Sequence, residues 1–79
     1  MATELLNRIV IDPKIMVGKP VIKGTRIPVE IILKKLAQNI NTKEILEDFP
    51  RLTKEDIKAA IMYAGSLVEN TEVFPLTSR

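Results

Sequence analysis

Neither cysteine nor histidine occurs in this 79-residue chain. The double absence excludes disulfides, thiolate nucleophiles, imidazole bases and the common zinc ligand sets. Acid–base chemistry near neutral pH would fall to a retuned carboxylate or lysine in a cleft, and so small a domain has little room to enclose one. The chain is therefore expected to carry no catalytic residue, metal site or cofactor, and not to be an enzyme. Also lacking is any run of about 18 apolar residues of the kind that spans a membrane. The first residues, Met1-Ala-Thr-Glu-Leu-Leu-Asn-Arg8, form neither a basic leader nor a continuous apolar core, which sets the expectation of a cytoplasmic protein without a membrane partner. No low-complexity tract is present. What is there is 46% apolar and 28% charged residues, the composition of a folded domain.

The length allows one such domain. Below about 70–80 residues a lone core rarely supplies more than about 3–5 kcal/mol, so a staple is needed. With disulfides and metals excluded, oligomerisation is the remaining one, and a homodimer is expected. The domain should run over residues 8–69, with residues 1–7 as an N-terminal extension and residues 70–79 as a tail.

Charge is unevenly spread. Residues 1–40 hold seven Lys/Arg against three Asp/Glu, whereas residues 41–79 hold five against seven. Lys14, Lys19, Lys23, Arg26, Lys34 and Lys35 face only Glu30 within residues 14–35. Such a patch is either a footprint for nucleic acid or an acidic protein, or a set of solvated lysines that keeps a small domain soluble.

Two β-branched runs, 8–12 and 21–27, predict paired strands joined by a long irregular connection through Pro13, Gly18 and Pro20. The open edge of this ribbon is the candidate dimer element. Gly24 invites a bulge or tight turn that displays Lys23 and Arg26. The period then changes from 2 to 3.6. Pro28 suits a first helical position, and Val29, Ile32, Leu33, Leu36, Ala37 and Ile40 form one apolar stripe. Asn41-Thr-Lys-Glu44 reads as a capping box with Ile40 and Ile45 as its staple, and Thr53-Lys-Glu-Asp56 repeats the layout with Leu52 and Ile57. Phe49-Pro50 ends the short helix between them. The last helix carries a stripe of Ile57, Ala60, Ile61, Ala64 and Val68. The fold class is thus mainly α: a tri-helical, homeodomain-like helix-turn-helix bundle with a short N-terminal two-stranded β segment.

The string Gly18-Lys-Pro-Val-Ile-Lys-Gly-Thr-Arg-Ile-Pro28, followed by Glu44-Ile-Leu-Glu-Asp-Phe-Pro-Arg-Leu-Thr-Lys-Glu-Asp-Ile57, resembles the prokaryotic domain-of-unknown-function family four hundred and thirty-three, whose members are similar to VapB-type antitoxins. The likeness spans about residues 8–65. It implies a commonly dimeric domain that binds and neutralises a PIN-like ribonuclease toxin, the pair binding operator DNA. Family members often carry glycine in the turn before the second helix, where this chain has Asn39-Ile40-Asn41. Asparagine tolerates left-handed backbone, so the turn is expected to survive.

Six cations are candidates for DNA phosphates: Lys23, Arg26, Lys34, Lys35, Lys54 and Lys58. Arg26 leads, because Gly24 permits close approach and a guanidinium grips phosphate at two points; bonding within its own chain, to Asp12 or Glu30, is the alternative. Base reading looks weak, since Glu55 and Asp56 offset Lys54 and Lys58. On the last helix Ala59 and Met62 fall opposite Ile57 with Tyr63 on the border, a face suited to a dimer or toxin contact, or else to scattered exposure. In the tail, Val73, Phe74 and Leu76 suit partner binding, or folding back on the protein's own dimer. Gly18-Lys19-Pro20 lacks the spacing of a phosphate loop. Glu44, Glu47, Asp48, Glu55 and Asp56 are read as helix-start charges. The rival readings are a stand-alone transcriptional regulator and a structural dimerisation module.

Overall fold

The structure is a computed structural model and describes residues 2–69, with side chains from Glu4 onward. The element order is α1 (Ala2–Leu6), β1 (Ile9–Val10), β2 (Val21–Ile22), α2 (Val29–Ala37), α3 (Thr42–Asp48) and α4 (Lys54–Glu69). The expected small helical bundle with a short antiparallel ribbon is what forms. It has a fourth helix, however, because the segment expected as an extension folds as α1 and packs along α4.

The ribbon is shorter than the β-branched runs suggest. Ile9 pairs with Ile22 and Val10 with Val21, and the ladder stops there. On one side the chain leaves through a left-handed turn, with φ of 50° at Met16, 58° at Val17 and 82° at Gly18. On the other, the Thr25 amide donates to the Ile22 carbonyl at 3.0 Å, closing a turn around Lys23-Gly24. Gly24 has φ 80°, the value a type II turn requires at its third position and one that a side chain would strain. The Thr25 hydroxyl donates to the Ile22 carbonyl and accepts from the Ile27 amide, which locks the loop. Pro28 is therefore not in the first helical position. It has extended backbone as the N-cap of α2 and bridges back to Val21.

The α2 stripe holds in part. Val29 and Ile32 are buried and Leu33, Leu36 and Ile40 pack against the core, but Ala37 lies exposed at the helix end. There the Ile40 amide donates to the Lys35 carbonyl and the Asn39 amide to Leu36, with Asn39 at φ 67°. This is the hydrogen-bond pattern of a Schellman motif, with asparagine in the place glycine usually takes. Of the α3 capping box, the Asn41 half forms, with Oδ1 accepting from the Glu44 amide at 2.9 Å.

At α4 the capping box is reciprocal. The Asp56 amide donates to Thr53 Oγ1, and Asp56 Oδ2 accepts from the Thr53 amide at 3.0 Å. The other oxygen, Oδ1, takes Arg8 Nη1 at 3.0 Å. Asp56 thus takes the capping place read for it, and is buried there at 6% exposure. The main core joins Ile22, Val29, Ile32, Ile45, Leu52, Ile57 and Ala60.

Replacing Asp56 with Ala removes a cap acceptor and an ion-pair partner together, with an expected loss of about 1–3 kcal/mol in urea unfolding. Arg8→Ala should cost less, because the Arg8 side chain is 43% exposed and its charge stays solvated. Equal losses would contradict the capping role.

Candidate functional site

The six candidate cations do not form one patch. Lys23 and Arg26 stand exposed on the turn that follows β2, and Lys34 is exposed on α2. Arg26 makes no ion pair among the described residues: Glu30 accepts instead from Lys19 Nζ at 2.7 Å, and Asp12 accepts from the Lys14 amide. Lys35 is committed. Its ammonium lies 3.6 Å from Asp48 Oδ2 and 5.7 Å from the centroid of the Phe49 ring, tying α2 to the end of α3. Lys54 and Lys58 are exposed one turn apart on α4. Lys54 shares a shallow surface cavity with Thr42, Lys43, Leu46 and Glu47 of α3. Lys43 and the exposed Arg51, which lies in the break between α3 and α4, are cations that charge clustering passes over. A signal for them exists in the sequence, since Lys43 lies inside the first capping box and Arg51 just before the second.

The Lys19–Glu30 pair is held at the surface. Its hydrogen bond, the Lys19 charge and, more weakly, the Lys34 charge hold the Glu30 carboxyl below its ordinary value against a small opposing effect of desolvation.

The apolar face of α4 is displaced from its expected place. Ala59 is 0% exposed, and Met62 and Tyr63 are half-buried. The physical reason is α1, which packs along α4; Leu6 and Met62 line one shallow cavity, and Tyr63 packs against the core. Asp56, Ile57, Ala59 and Ala60 are all buried, so the first half of α4 is packed on more than one side. Conversely, Ile61 and Val68, expected in the buried stripe, are 51% and 74% exposed, and Leu67 is 53% exposed. Lys54, Lys58, Ile61, Gly65 and Val68 follow one another at helical spacing and are all exposed. One surface stripe therefore runs from basic to apolar along the helix.

A groove of about 180 Å³ lies between α2 and the last turns of α4. Its walls are apolar, from Pro20, Val29, Leu33, Tyr63, Ala64 and Leu67, with the Lys19–Glu30 pair at the rim. Ile11 and Val17 are further exposed apolar side chains, in the connection after β1. Val73, Phe74 and Leu76 lie outside the described residues. Among those described, no group of three or more acidic side chains is placed to hold a metal, and no helix is long and apolar enough to cross a membrane.

Residues 9–64 match the family described as protein of unknown function, DUF433. A crystal structure of a member of that family from Anabaena variabilis superposes with a TM-score of 0.74 at 37% identity, covering 85% of this chain and 66% of that one. An uncharacterised protein of Archaeoglobus fulgidus is 72% identical over 25 residues, which are 32% of this chain and 69% of that protein. An uncharacterised protein of Sinorhizobium fredii is 38% identical over 53 residues, 67% of this chain but 24% of its own length.

Two outcomes test this geometry. Ala59→Leu should overpack the buried surroundings of Ala59 and cost about 1–3 kcal/mol, whereas Ile61→Ser should stay within about 0.5 kcal/mol, both read by thermal or urea unfolding. The reverse order would restore the expected face. Because the folded-state value of Glu30 is lowered, its contribution to stability is present above the ordinary carboxylate range and fades as pH falls through the lowered value. In a carbon-13 carboxyl titration, Lys19→Gln should move Glu30 up toward its ordinary value; no movement would contradict the pairing.

Proposed function

The chain belongs to the DUF433 family, and from that premise we propose that it is an antitoxin-like protein, a homodimer that binds and neutralises a PIN-like ribonuclease toxin and, with it, operator DNA. The observation that carries the reading is the apolar half of the α4 surface stripe. Ile61 and Val68 of that stripe, and Leu67 beside it, stand more than half exposed within two turns of α4, and a monomer gains nothing by wetting three large apolar side chains so close together. Such a face is suited to a protein partner. The segment of residues 70–79 follows it directly and would extend the contact, with Val73, Phe74 and Leu76 as its apolar anchors. Inhibition would be by occlusion: the bound segment covers the acidic metal site of the nuclease, and no chemistry is required of this chain. The dimer contact is assigned to the open edge of β1, beside the exposed Ile11.

A second reading, a stand-alone helix-turn-helix regulator, is favoured by one observation. Lys43 in the first turn of α3 and Lys54 at the start of α4 line one shallow cavity, and Lys58 is exposed one turn further along α4, cations on the two helices from which a helix-turn-helix contacts DNA. In the antitoxin reading the same cations hold operator phosphates.

Co-expression with the product of the neighbouring open reading frame, followed by affinity purification, tests the proposal. A nuclease should travel with the protein, and Ile61→Asp combined with Val68→Asp should weaken the complex by at least about a hundredfold at unchanged helix content. If nothing co-purifies, while promoter DNA is bound with a steep salt dependence, the regulator reading replaces it. In that titration each of Lys54→Gln and Lys58→Gln should lower the slope by about 0.9 log units for every phosphate the lysine neutralises.

A further inference from the structure

We propose that the open edge of β1 pairs antiparallel with the same edge of a second copy, on a two-fold axis through Val10, so that Arg8 and Ile9 lie opposite Asp12 and Ile11 of that copy. The proposal rests on the dimer contact assigned above to this edge and fixes its register; it needs no toxin.

The backbone is self-complementary. The Lys23 amide donates to the Arg8 carbonyl at 2.7 Å, in register with the Ile9–Ile22 and Val10–Val21 pairs. The Ile22 amide turns the other way, to the Ile27 carbonyl. Backbone groups alternate in direction along a strand, so Arg8 and Val10 face β2 while Ile9, and Ile11 after it, face the free edge. Among the described residues the amides and carbonyls of Ile9 and Ile11 have no hydrogen-bond partner. Under the two-fold, each Ile9 meets Ile11 of the other copy as a hydrogen-bonded pair, and the two Val10 residues meet as the closer, non-hydrogen-bonded pair. Pro13, which has no amide, ends the pairing after Asp12.

The side chains select the partner. The order Arg8-Ile-Val-Ile-Asp12, set against itself in reverse, places opposite charges across from each other at both ends and apolar groups between. Ile11, 58% exposed, is then covered by Ile9 of the second copy, a residue that packs on its own core. Arg8 gives Nη1 to Asp56 and is 43% exposed, and a guanidinium has further donors for a second carboxylate. Asp12 Oδ1 accepts from the Lys14 amide, which leaves Oδ2. A slip of one residue breaks the alternation of hydrogen bonds, and a slip of two sets Val10 against Asp12 or against Arg8. A strand of unrelated sequence satisfies the backbone alone. The result is a four-stranded sheet in place of two ribbons that are marginal by themselves, and it is the staple that so small a core needs.

Because the chain has no cysteine, single substitutions report the register in the full-length protein. Val10→Cys should cross-link two copies in mild oxidant, since the axis puts the two Cα atoms about 4.5 Å apart, within disulfide range. Ile11→Cys should not, because its two copies lie more than about 7 Å apart. Ile11→Pro removes a donor from the free edge only, and should raise the dimer dissociation constant at least about tenfold at unchanged circular dichroism. Efficient cross-linking of Ile11→Cys with none of Val10→Cys would overturn the register and leave the dimer standing. A dimer by sedimentation in which neither cysteine cross-links would overturn the edge contact, and a monomer would overturn the dimer itself. None of these outcomes bears on the toxin, which co-purification tests separately.

Discussion

The position of α4 depends on a single carboxylate. Asp56 accepts from the Thr53 amide with one oxygen and from Arg8 with the other, so the cap that starts the helix also anchors the segment between α1 and β1. Helix start and N-terminal chain are thereby placed by one group, buried at the point where charge is favoured by the helix dipole. With Arg8 held there, α1 runs along α4, where Leu6 lines a shallow cavity with Met62, Gly65, Ser66 and Glu69. Ala59 itself is fully buried on α4. Everything said of the α4 surface follows from that packing.

A helix packed on more than one side through its first half and on fewer through its second has an uneven surface. Lys54 and Lys58 hold the free stripe where the flanks are packed, and Ile61 and Val68 hold it farther along. Residues at the basic end attract anions without selecting them. Those at the apolar end exclude water and suit a shaped partner. The division supports a reading in which one helix serves nucleic acid and protein at once, with α3 adding Lys43 on the basic side.

Local signals are legible in the sequence and long-range ones are not. Both capping boxes, the break at Phe49-Pro50, the turn at Gly24 and the left-handed Asn39 can be read from residue type, because each is set by atoms a few positions apart. The face of α4 cannot. Its sequence carries apolar residues nearly all round, at Ile57, Ala59, Ala60, Ile61, Met62, Tyr63 and Ala64, so the 3.6 period fits more than one buried stripe. What decides between them is α1, a five-residue helix too short to announce itself by periodicity. The six candidate cations stand out by charge alone, and charge does not reveal partners. Lys35 is engaged with Asp48 and Phe49, whereas Arg26, for which an internal partner is an equal alternative on sequence grounds, makes no ion pair among the described residues.

The most direct test of the account is a solvent-access footprint of the full-length chain, purified alone and after co-expression with the product of the neighbouring open reading frame. Side-chain labelling should fall at Ile61, Leu67 and Val68 on assembly while Met62 stays as it was beneath α1. Protection centred on Met62, with α1 becoming more accessible, would mean that the N-terminal helix is displaced and that the partner takes the opposite face of α4.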